Sequence, residues 1–376
     1  MKPTKKNLSL LTSALCGAAL LAAPAAYAGI DLGVMGDVSY YSTSSSDATK
    51  DEPNAFSFGG LDLYSTQKID PQTSTFFEMV MENDGDAFVV DIERYWIKHA
   101  FDRAFSLGAG RFHAPLGYWN RNFHHGVFLQ DTVSRPSFLD FEDGTTATLP
   151  MHVVGLLAEG KFARNFGYEL SYANSSAFDT VNGSEILVPN VADVNNKKAT
   201  LGRLMYQLPA QGLHVAGFFM DNNLAEASTT TDAYGLTLGD ELIKQMVYGL
   251  DFRFERAGFD VLAEYYNLDN EAQPGVGDGQ SHTGTEYYVQ LGYRFADKFK
   301  ATYRHESVDF DTTANSSSRD EYYAIIGRTE PWTTEVACLR YDVSDSNALM
   351  LEYKQEKPDI SDSVKTMTLN WSFMMF

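Results

Sequence analysis

Four arginines and four carboxylates between residues 94 and 143 are the side chains whose chemistry stands out first. They are Arg94, Arg111, Arg121, Asp131, Arg135, Asp140, Glu142 and Asp143. Arginines that face carboxylates across a narrow, water-filled passage create a transverse field that orients dipolar solutes. The same residues could instead form ion pairs that fix a folded loop to the wall behind it. The sequence leaves both interpretations open, and one cluster could serve both purposes.

Four histidines bracket the same segment and raise the question of a metal site. They are His113, His124, His125 and His152. Their spacing matches no zinc signature and no cysteine accompanies them, so hydrogen-bonded loop histidines are the preferred interpretation. The sequence has no nucleophile elbow, P-loop or haem-attachment motif, and its glycine-rich run at 275–279 lies in a polar loop between strands. We therefore predict no catalytic residue, no metal and no cofactor.

The elements that position these residues are strands, because apolar and polar residues alternate with a period of two over much of the chain. Met246, Tyr248 and Leu250, for example, alternate with Gly249 and Asp251. The polar faces carry the residues that we predict to line the interior, namely Asp251, Arg253, Glu255, Asp260, Glu264, Glu286, Arg294, Lys300, Arg304 and Glu306. In the strand expected at 87–99 the alternation slips near 92–95, as a β-bulge would cause.

The alternation continues to the carboxy-terminal end. Candidate strands there are 321–328, 335–343, 348–355 and 364–376, and in the last of these the apolar residues share one face. Long polar loops alternate with tight turns along the chain, as an up-and-down barrel requires. Both termini then lie on one side, which demands an even number of strands. We predict an all-β, transmembrane antiparallel up-and-down β-barrel of about 16 strands, with 18 as the alternative.

The amino-terminal residues predict export from the cytoplasm. Basic residues within 2–6 precede an apolar stretch at 8–23, and Ala26-Tyr27-Ala28 forms a small-x-small cleavage site. We predict a cleaved signal peptide over residues 1–28 and a single barrel domain over residues 29–376.

Composition separates a membrane barrel from a soluble sandwich, which shares the same local alternation. Aromatic residues make up 13% of the chain, with 21 Tyr and 25 Phe, as expected for aromatic girdles at two membrane interfaces. No apolar run reaches the ~18 residues that a membrane helix needs. The net charge of −21 argues against nucleic acid as a partner. Cys338 would be the single cysteine of the exported chain, which excludes an internal disulfide.

Residues 114–150 interrupt the strand pattern. The segment has no sustained alternation, although it holds five aromatic residues, Trp119, Phe123, Phe128, Phe138 and Phe141. Loops of this length are usually functional, and this one is too aromatic for a solvated linker. A barrel of about 16 strands encloses an aqueous channel that its own side chains cannot fill. We predict that residues 114–150 fold into this lumen and constrict it.

One run of residues resembles a known family. Glu93-Arg94-Tyr95-Trp96, followed by Gly110-Arg111-Phe112-His113-Ala114-Pro115-Leu116-Gly117, resembles the phosphate/polyphosphate-selective porin superfamily of Gram-negative outer membranes. His113 stands where that family favours lysine, and Leu116 where it favours phenylalanine. The resemblance implies a porin in the outer membrane, and porins of this size imply a homotrimer. The family's anion selectivity is associated with a ladder of basic residues, which this sequence does not reveal.

The leading hypothesis is a passive, water-filled channel for small hydrophilic solutes and ions, surrounded by outer-membrane lipids. A mild cation preference is expected, because carboxylates outnumber bases on the assigned inner faces. The carboxylates are Asp31, Asp37, Glu169, Asp251, Glu255, Asp260, Glu264, Glu286 and Glu306, and the bases are Arg253, Arg294, Lys300 and Arg304. The alternatives are a solute-specific channel of the anion or phosphate type, an outer-membrane enzyme such as a phospholipase or protease, and a structural or adhesion barrel. No Ser/His/Asp set can be picked out, so we predict that the protein is not an enzyme.

Overall fold

The structure is a computed structural model that describes residues 31–45, 54–84, 87–123, 126–140, 146–183, 186–188, 193–277, 279–313 and 318–376. The signal peptide predicted over residues 1–28 lies outside the described residues. So do four of the candidate site residues, His124, His125, Glu142 and Asp143.

Sixteen antiparallel strands form a closed barrel, which confirms the predicted fold class. The strands are β1 (Asp31–Ser45), β2 (Ala55–Lys68), β3 (Thr73–Asp84), β4 (Ala87–Ala100), β5 (Ser106–His113), β6 (His152–Gly160), β7 (Phe166–Asn174), β8 (Lys198–Leu208), β9 (Leu213–Glu226), β10 (Glu241–Arg256), β11 (Phe259–Ala272), β12 (Ser281–Phe295), β13 (Phe299–Asp309), β14 (Trp332–Ser344), β15 (Asn347–Pro358) and β16 (Val364–Met375). Each strand pairs with the next. The ring closes where β1 pairs with β16, from Val34 opposite Met375 to Ser45 opposite Val364. A two-residue strand, Ala177–Phe178, adds to the end of β9.

The distribution of polar and apolar side chains is the reverse of that in a soluble domain: polar residues point into the barrel and apolar residues point out. On β13 the polar residues Lys300, Arg304 and Glu306 are buried inside the barrel, whereas Tyr303 between them is exposed on the outside. Apolar side chains that point out of a closed barrel meet lipid, and polar ones that point in meet the lumen or whatever fills it. The period of two in the sequence therefore reflects the difference between the outer surface and the interior of the barrel, and for this reason it predicted the strands.

The two ends of the barrel differ in their connections. One end carries tight turns, such as the hairpin at Ala257 and Gly258, whose φ angles of 54° and 84° are those of a type I′ turn. The other end carries the long connections, among them 114–151, 175–197, 227–240 and 310–331. No helix among the described residues is long and apolar enough to cross a membrane.

One predicted strand is wrong, one observed strand was not predicted, and the strand count and the predicted bulge are correct. Residues 321–328 are not a strand: Glu321–Ile325 is a short helix, α2, whose N-cap is Asp320. The strand β6 was not predicted as such, although the even strand count of about 16 is confirmed. The expected bulge is at Glu93, because Glu78 pairs with Arg94 and Met79 with Ile92.

Candidate pore constriction

The long connection between β5 and β6 folds into the barrel and packs against its inner wall. It forms a short helix, α1 (Tyr118–Phe123), and two 3₁₀ turns, Val127–Leu129 and Ser137–Leu139. Trp119 and Phe138 are 1% and 0% exposed, and both rings contact Tyr288 on β12. Phe138 also meets Tyr266 on β11 edge-on, at 5.5 Å between ring centroids. An apolar core therefore lies inside the lumen, between the loop and the wall.

A wall carboxylate holds the beginning of this loop. One oxygen of Glu264 on β11 accepts the backbone N–H of Tyr118 at 3.0 Å and that of Trp119 at 2.5 Å. The hydroxyls of Tyr266 and Tyr288 donate to the same carboxylate, at 2.5 and 2.7 Å. Gly117 makes the approach possible, since its φ is +68° and a Cβ there would lie 2.0 Å from Glu264 Oε2.

Three further buried carboxylates bind the returning part of the loop. Glu352 on β15 accepts the backbone N–H groups of Val133 and Ser134, at 2.6 and 3.0 Å. Glu306 on β13 accepts the N–H of Ser137 at 2.8 Å. Glu286 on β12 accepts the Thr148 hydroxyl at 2.8 Å and the Tyr323 hydroxyl of α2 at 2.7 Å. The connection 310–331 therefore contacts the same carboxylate as the in-folded loop.

Basic residues of the wall bind the loop's carbonyl, hydroxyl and carboxylate oxygens. Lys300 contacts Asp131 at 2.6 Å. Arg304 donates to the Thr132 hydroxyl at 2.6 Å and to the carbonyl oxygen of Ser134 at 3.0 Å. Arg340 on β14 donates to the carbonyl oxygens of Phe128 and Gln130, at 2.7 and 2.6 Å. Side chains from β11 to β15 thus hold the loop along its length.

The predicted constriction residues that the structure describes are held in separate pairs and not in one ring of opposed charges. Arg121 on α1 contacts Glu169 of β7 at 2.6 Å, Asp131 binds Lys300, and Arg135 lies 3.8 Å from Asp140. Burial disfavours the charge of Arg121, but the adjacent Glu169 carboxylate outweighs it and raises the pKa of the guanidinium. This geometry is that of ion pairs that hold a folded loop in place, the alternative to a transverse field.

Arg94 and Arg111 belong to the barrel wall rather than to the loop. Arg94 makes a two-point contact with Glu78 on the neighbouring strand β3. Arg111 donates from Nε to the carbonyl oxygen of Glu93 at 2.8 Å, and its Nη2 lies 3.2 Å from Nδ1 of His152. His113 packs beside His152, with 5.1 Å between ring centroids.

The predicted lining residues divide into two groups. Seven are buried in contacts with the loop, with one another or with other wall residues, namely Asp251, Asp260, Glu264, Glu286, Lys300, Arg304 and Glu306. Glu255, Arg253 and Arg294 retain exposed side-chain fractions of 62%, 19% and 40%. Glu352 on β15 and Arg340 on β14 were not predicted as site residues. The alternation of the two strands predicts that both side chains point inward, but it does not indicate that the loop contacts them.

A polar cavity of about 700 Å³ lies between α1 and the inner wall near the tight-turn end of the barrel. We call it the vestibule. Its charged lining consists of Arg121, Arg203, Arg253, Arg256, Glu169 and Glu255, so arginines outnumber carboxylates. Arg203 is fixed by Asp251 at 2.9 Å, and Arg253 donates to the Tyr118 hydroxyl at 2.8 Å.

A different part of the inner wall is acidic. Asp37 on β1, Asp62 on β2 and Glu78 on β3 lie on adjacent strands and are each less than 9% exposed. Arg94 neutralises Glu78, and Asn370 donates to Asp37 at 2.7 Å. The acidic wall and the arginine-rich vestibule therefore occupy separate sectors of the barrel.

A closed antiparallel barrel of 16 strands with a long loop folded into it is the architecture of Gram-negative outer-membrane porins. Three solved structures illustrate the likeness. The outer membrane channel DcaP of Acinetobacter baumannii has a TM-score of 0.64 at 12% identity, covering 93% of this chain and 99% of that one. The anion-selective porin from Comamonas acidovorans has a TM-score of 0.62 at 11% identity, covering 92% and 99%. OmpT, an outer membrane protein of Vibrio cholerae in its trimer form, has a TM-score of 0.61 at 10% identity, covering 93% and 100%. No family model and no curated protein matches the sequence, so the likeness defines the fold.

Proposed function

We propose that the protein is an outer-membrane porin, through which small hydrophilic solutes and ions diffuse passively. The proposal rests on one observation: the long loop lies inside a closed barrel, where side chains of β11 to β15 hold it against the inner wall. A barrel of this strand number is too wide for its own side chains to fill. A bound loop narrows such a lumen without removing the polar space that the vestibule represents.

Single-channel recording in planar bilayers tests this proposal. Protein that is folded and heat-modifiable should insert in steps and conduct ohmically. Absence of conductance steps from such protein would overturn the porin assignment and favour a structural or enzymatic barrel.

We further propose that the channel has a mild preference for cations and assembles as a homotrimer. The cation preference is supported by the excess of acidic over basic residues, 50 against 29 in the chain, while Asp37, Asp62 and Glu78 add little because they are buried and Arg94 neutralises Glu78. Glu264, Glu286 and Glu306 contribute little to this preference, since they are buried in contacts with the loop. The trimer is supported by the OmpT structure, which is described as a trimer form.

An anion-type channel is the second candidate, and the vestibule favours it. Arg121, Arg203, Arg253 and Arg256 surround this cavity, with only Glu169 and Glu255 as charged counterparts in its lining. Fixed cationic side chains around a restricted polar space raise the local anion concentration. The reversal potential across a KCl gradient decides between the two selectivities, because its sign shows which ion permeates more easily.

A further inference from the structure

Three aromatic side chains lie next to one another on the inner face of β2, β3 and β4, near the tight-turn end of the barrel. Phe76 stacks with Trp96 on the neighbouring strand, with 5.7 Å between ring centroids and 14° between ring planes. Phe76 also stacks with Tyr64, at 6.5 Å and 20°. The alternation of β4 separates Trp96 from Tyr95, which is 61% exposed on the outer face. We call Tyr64, Phe76 and Trp96 the aromatic sector.

Free space borders the aromatic sector. A cavity of about 150 Å³ lies beside Trp96, and Gly108 on β5 forms part of its lining. Gly108 pairs with Lys98, so a side chain at this position would point inward as that of Lys98 does. A Cβ added to Gly108 would come no closer than 3.6 Å to the surrounding residues. The glycine therefore keeps the cavity open, although the backbone conformation does not require a glycine there.

The charged side chains around the aromatic sector are balanced. Arg94 lies over the Phe76 ring, 4.4 Å from its centroid, and Lys98 lies 4.7 Å from the centroid of the Trp96 ring. An organic anion would have to displace a carboxylate from one of the cations that line the cavity, whereas a neutral solute would not. Each of these cations has its own carboxylate partner, in the pairs Arg94–Glu78, Lys98–Glu159 and Arg121–Glu169.

We infer that the aromatic sector binds the ring of a neutral sugar during its passage through the barrel. A pyranose has a face of C–H groups that packs against an aromatic ring, and its hydroxyl groups both donate and accept hydrogen bonds. The rings of the sector match this face, and the flanking acid–base pairs match the hydroxyls. Arg121 lines both the cavity beside Trp96 and the vestibule, so the bound sugar lies next to the polar space of the lumen. The inference names a solute class for the proposed channel and therefore rests on that proposal.

Saturation-transfer difference NMR measures sugar binding directly and does not depend on conductance. The protein is folded, heat-modifiable and held in a detergent without a sugar head group. Methyl glucoside is the probe, and sorbitol is its matched control, because sorbitol carries the hydroxyls of a hexose but has no ring face. Benzoate tests the alternative class, an organic anion with a flat apolar body. We expect severalfold stronger transfer to the C–H protons of methyl glucoside than to those of sorbitol.

Four variants locate the binding. Trp96→Ala removes the ring, and Gly108→Leu fills the cavity beside it, so each should reduce the transfer severalfold. Trp96→Phe keeps a ring and should retain most of the transfer. Trp371→Ala removes a 58% exposed tryptophan from the outer face and should leave the transfer unchanged.

Three results would overturn the inference: equal transfer to methyl glucoside and sorbitol, transfer to benzoate but not to methyl glucoside, or full transfer in the folded Gly108→Leu variant. Single-channel conductance of the same preparation is recorded separately. Conductance steps without sugar binding would reject the sugar site alone, and sugar binding without steps would reject the porin proposal.

Discussion

The carboxylate of Glu264 on the barrel wall lies 2.5 Å from the backbone nitrogen of Trp119 in the in-folded loop. The contact shows that this inward-pointing carboxylate holds the loop, a role that its position on an inner face did not suggest. Glu264 is 2% exposed and surrounded by donors, so it binds the loop rather than permeating ions. Glu306 and Glu352 contact loop N–H groups in the same way. Part of the acidity of the inner wall is therefore structural.

Glu264→Ala is expected to loosen the loop. The substitution leaves the N–H groups of Tyr118 and Trp119 without their acceptor, and a buried orphan donor costs about 1–3 kcal/mol. We expect a lower midpoint of thermal unfolding and more open-channel current noise. Glu264→Gln, which keeps one acceptor oxygen, should have a smaller effect. Glu271→Ala, on an exposed position of the same strand, is the control; equal noise in all three variants would contradict the assigned role.

Replacing residues 120–146 with a short Gly/Ser linker is expected to raise the single-channel conductance and to admit larger solutes. The reason is that the described part of this segment, which follows the buried Trp119 and contains the buried Phe138, lies inside the barrel. A shortened 227–240 connection, at the same end of the barrel, serves as the control and should leave conductance unchanged. Heat-modifiability must first establish that both variants fold. Unchanged conductance of the folded loop variant would place the segment outside the ion path.

Sequence reasoning predicted those strands whose two faces meet different surroundings. β10 and β13 alternate cleanly because one face carries exposed apolar residues that point out of the barrel and the other carries polar groups that point inward. β6 escaped detection because its inward Val153 and Leu157 pack against the loop while its outward Leu156 is also apolar. With both faces apolar, the period of two disappears.

Long-range contacts explain the other failures. Residues 321–325 form a helix because the Asp320 side chain accepts the N–H of Tyr322, and because Tyr322 and Tyr323 reach the in-folded loop and Glu286. Thr148 and Glu286, which bind the two tyrosine hydroxyls, are both far from this helix in sequence. The inward direction of the carboxylates was predictable from alternation, but their burial depends on where a loop of 37 or so residues comes to rest, which no local pattern encodes.

The connection 310–331 is expected to be stabilised by mild acid through Asp320. Desolvation by burial raises the pKa of this carboxyl from 3.8 to about 6. The folded state therefore binds the proton more tightly than the unfolded one. The stabilisation is complete below about pH 4, declines as pH rises from about 4 to 6, and is absent above that range.

Hydrogen exchange of residues 318–331 as a function of pH measures this effect once the intrinsic exchange rates are corrected. Asp320→Asn keeps an acceptor for the N–H of Tyr322 but does not titrate, so its protection should be independent of pH between about 4 and 6. The same pH slope in the variant and the unmutated protein would assign the titration to another group.

Removing one arginine from the vestibule should shift ion selectivity toward cations. Arg253 is the informative choice, because it lines the cavity and its guanidinium also lies 5.3 Å from the Tyr118 ring of α1. Arg253→Gln keeps a donor for the Tyr118 hydroxyl while deleting the charge, so Glu169 and Glu255 gain weight in the local field. The reversal potential in a KCl gradient should move toward the potassium equilibrium value, whatever its sign in the unmutated protein. The shift should grow as salt is lowered, since screening acts over ~10 Å at 0.1 M.

Arg103→Gln removes an equal charge from an exposed tight turn outside the cavity and should cause no shift. Identical reversal potentials for both variants at low salt would show that ions do not pass the vestibule.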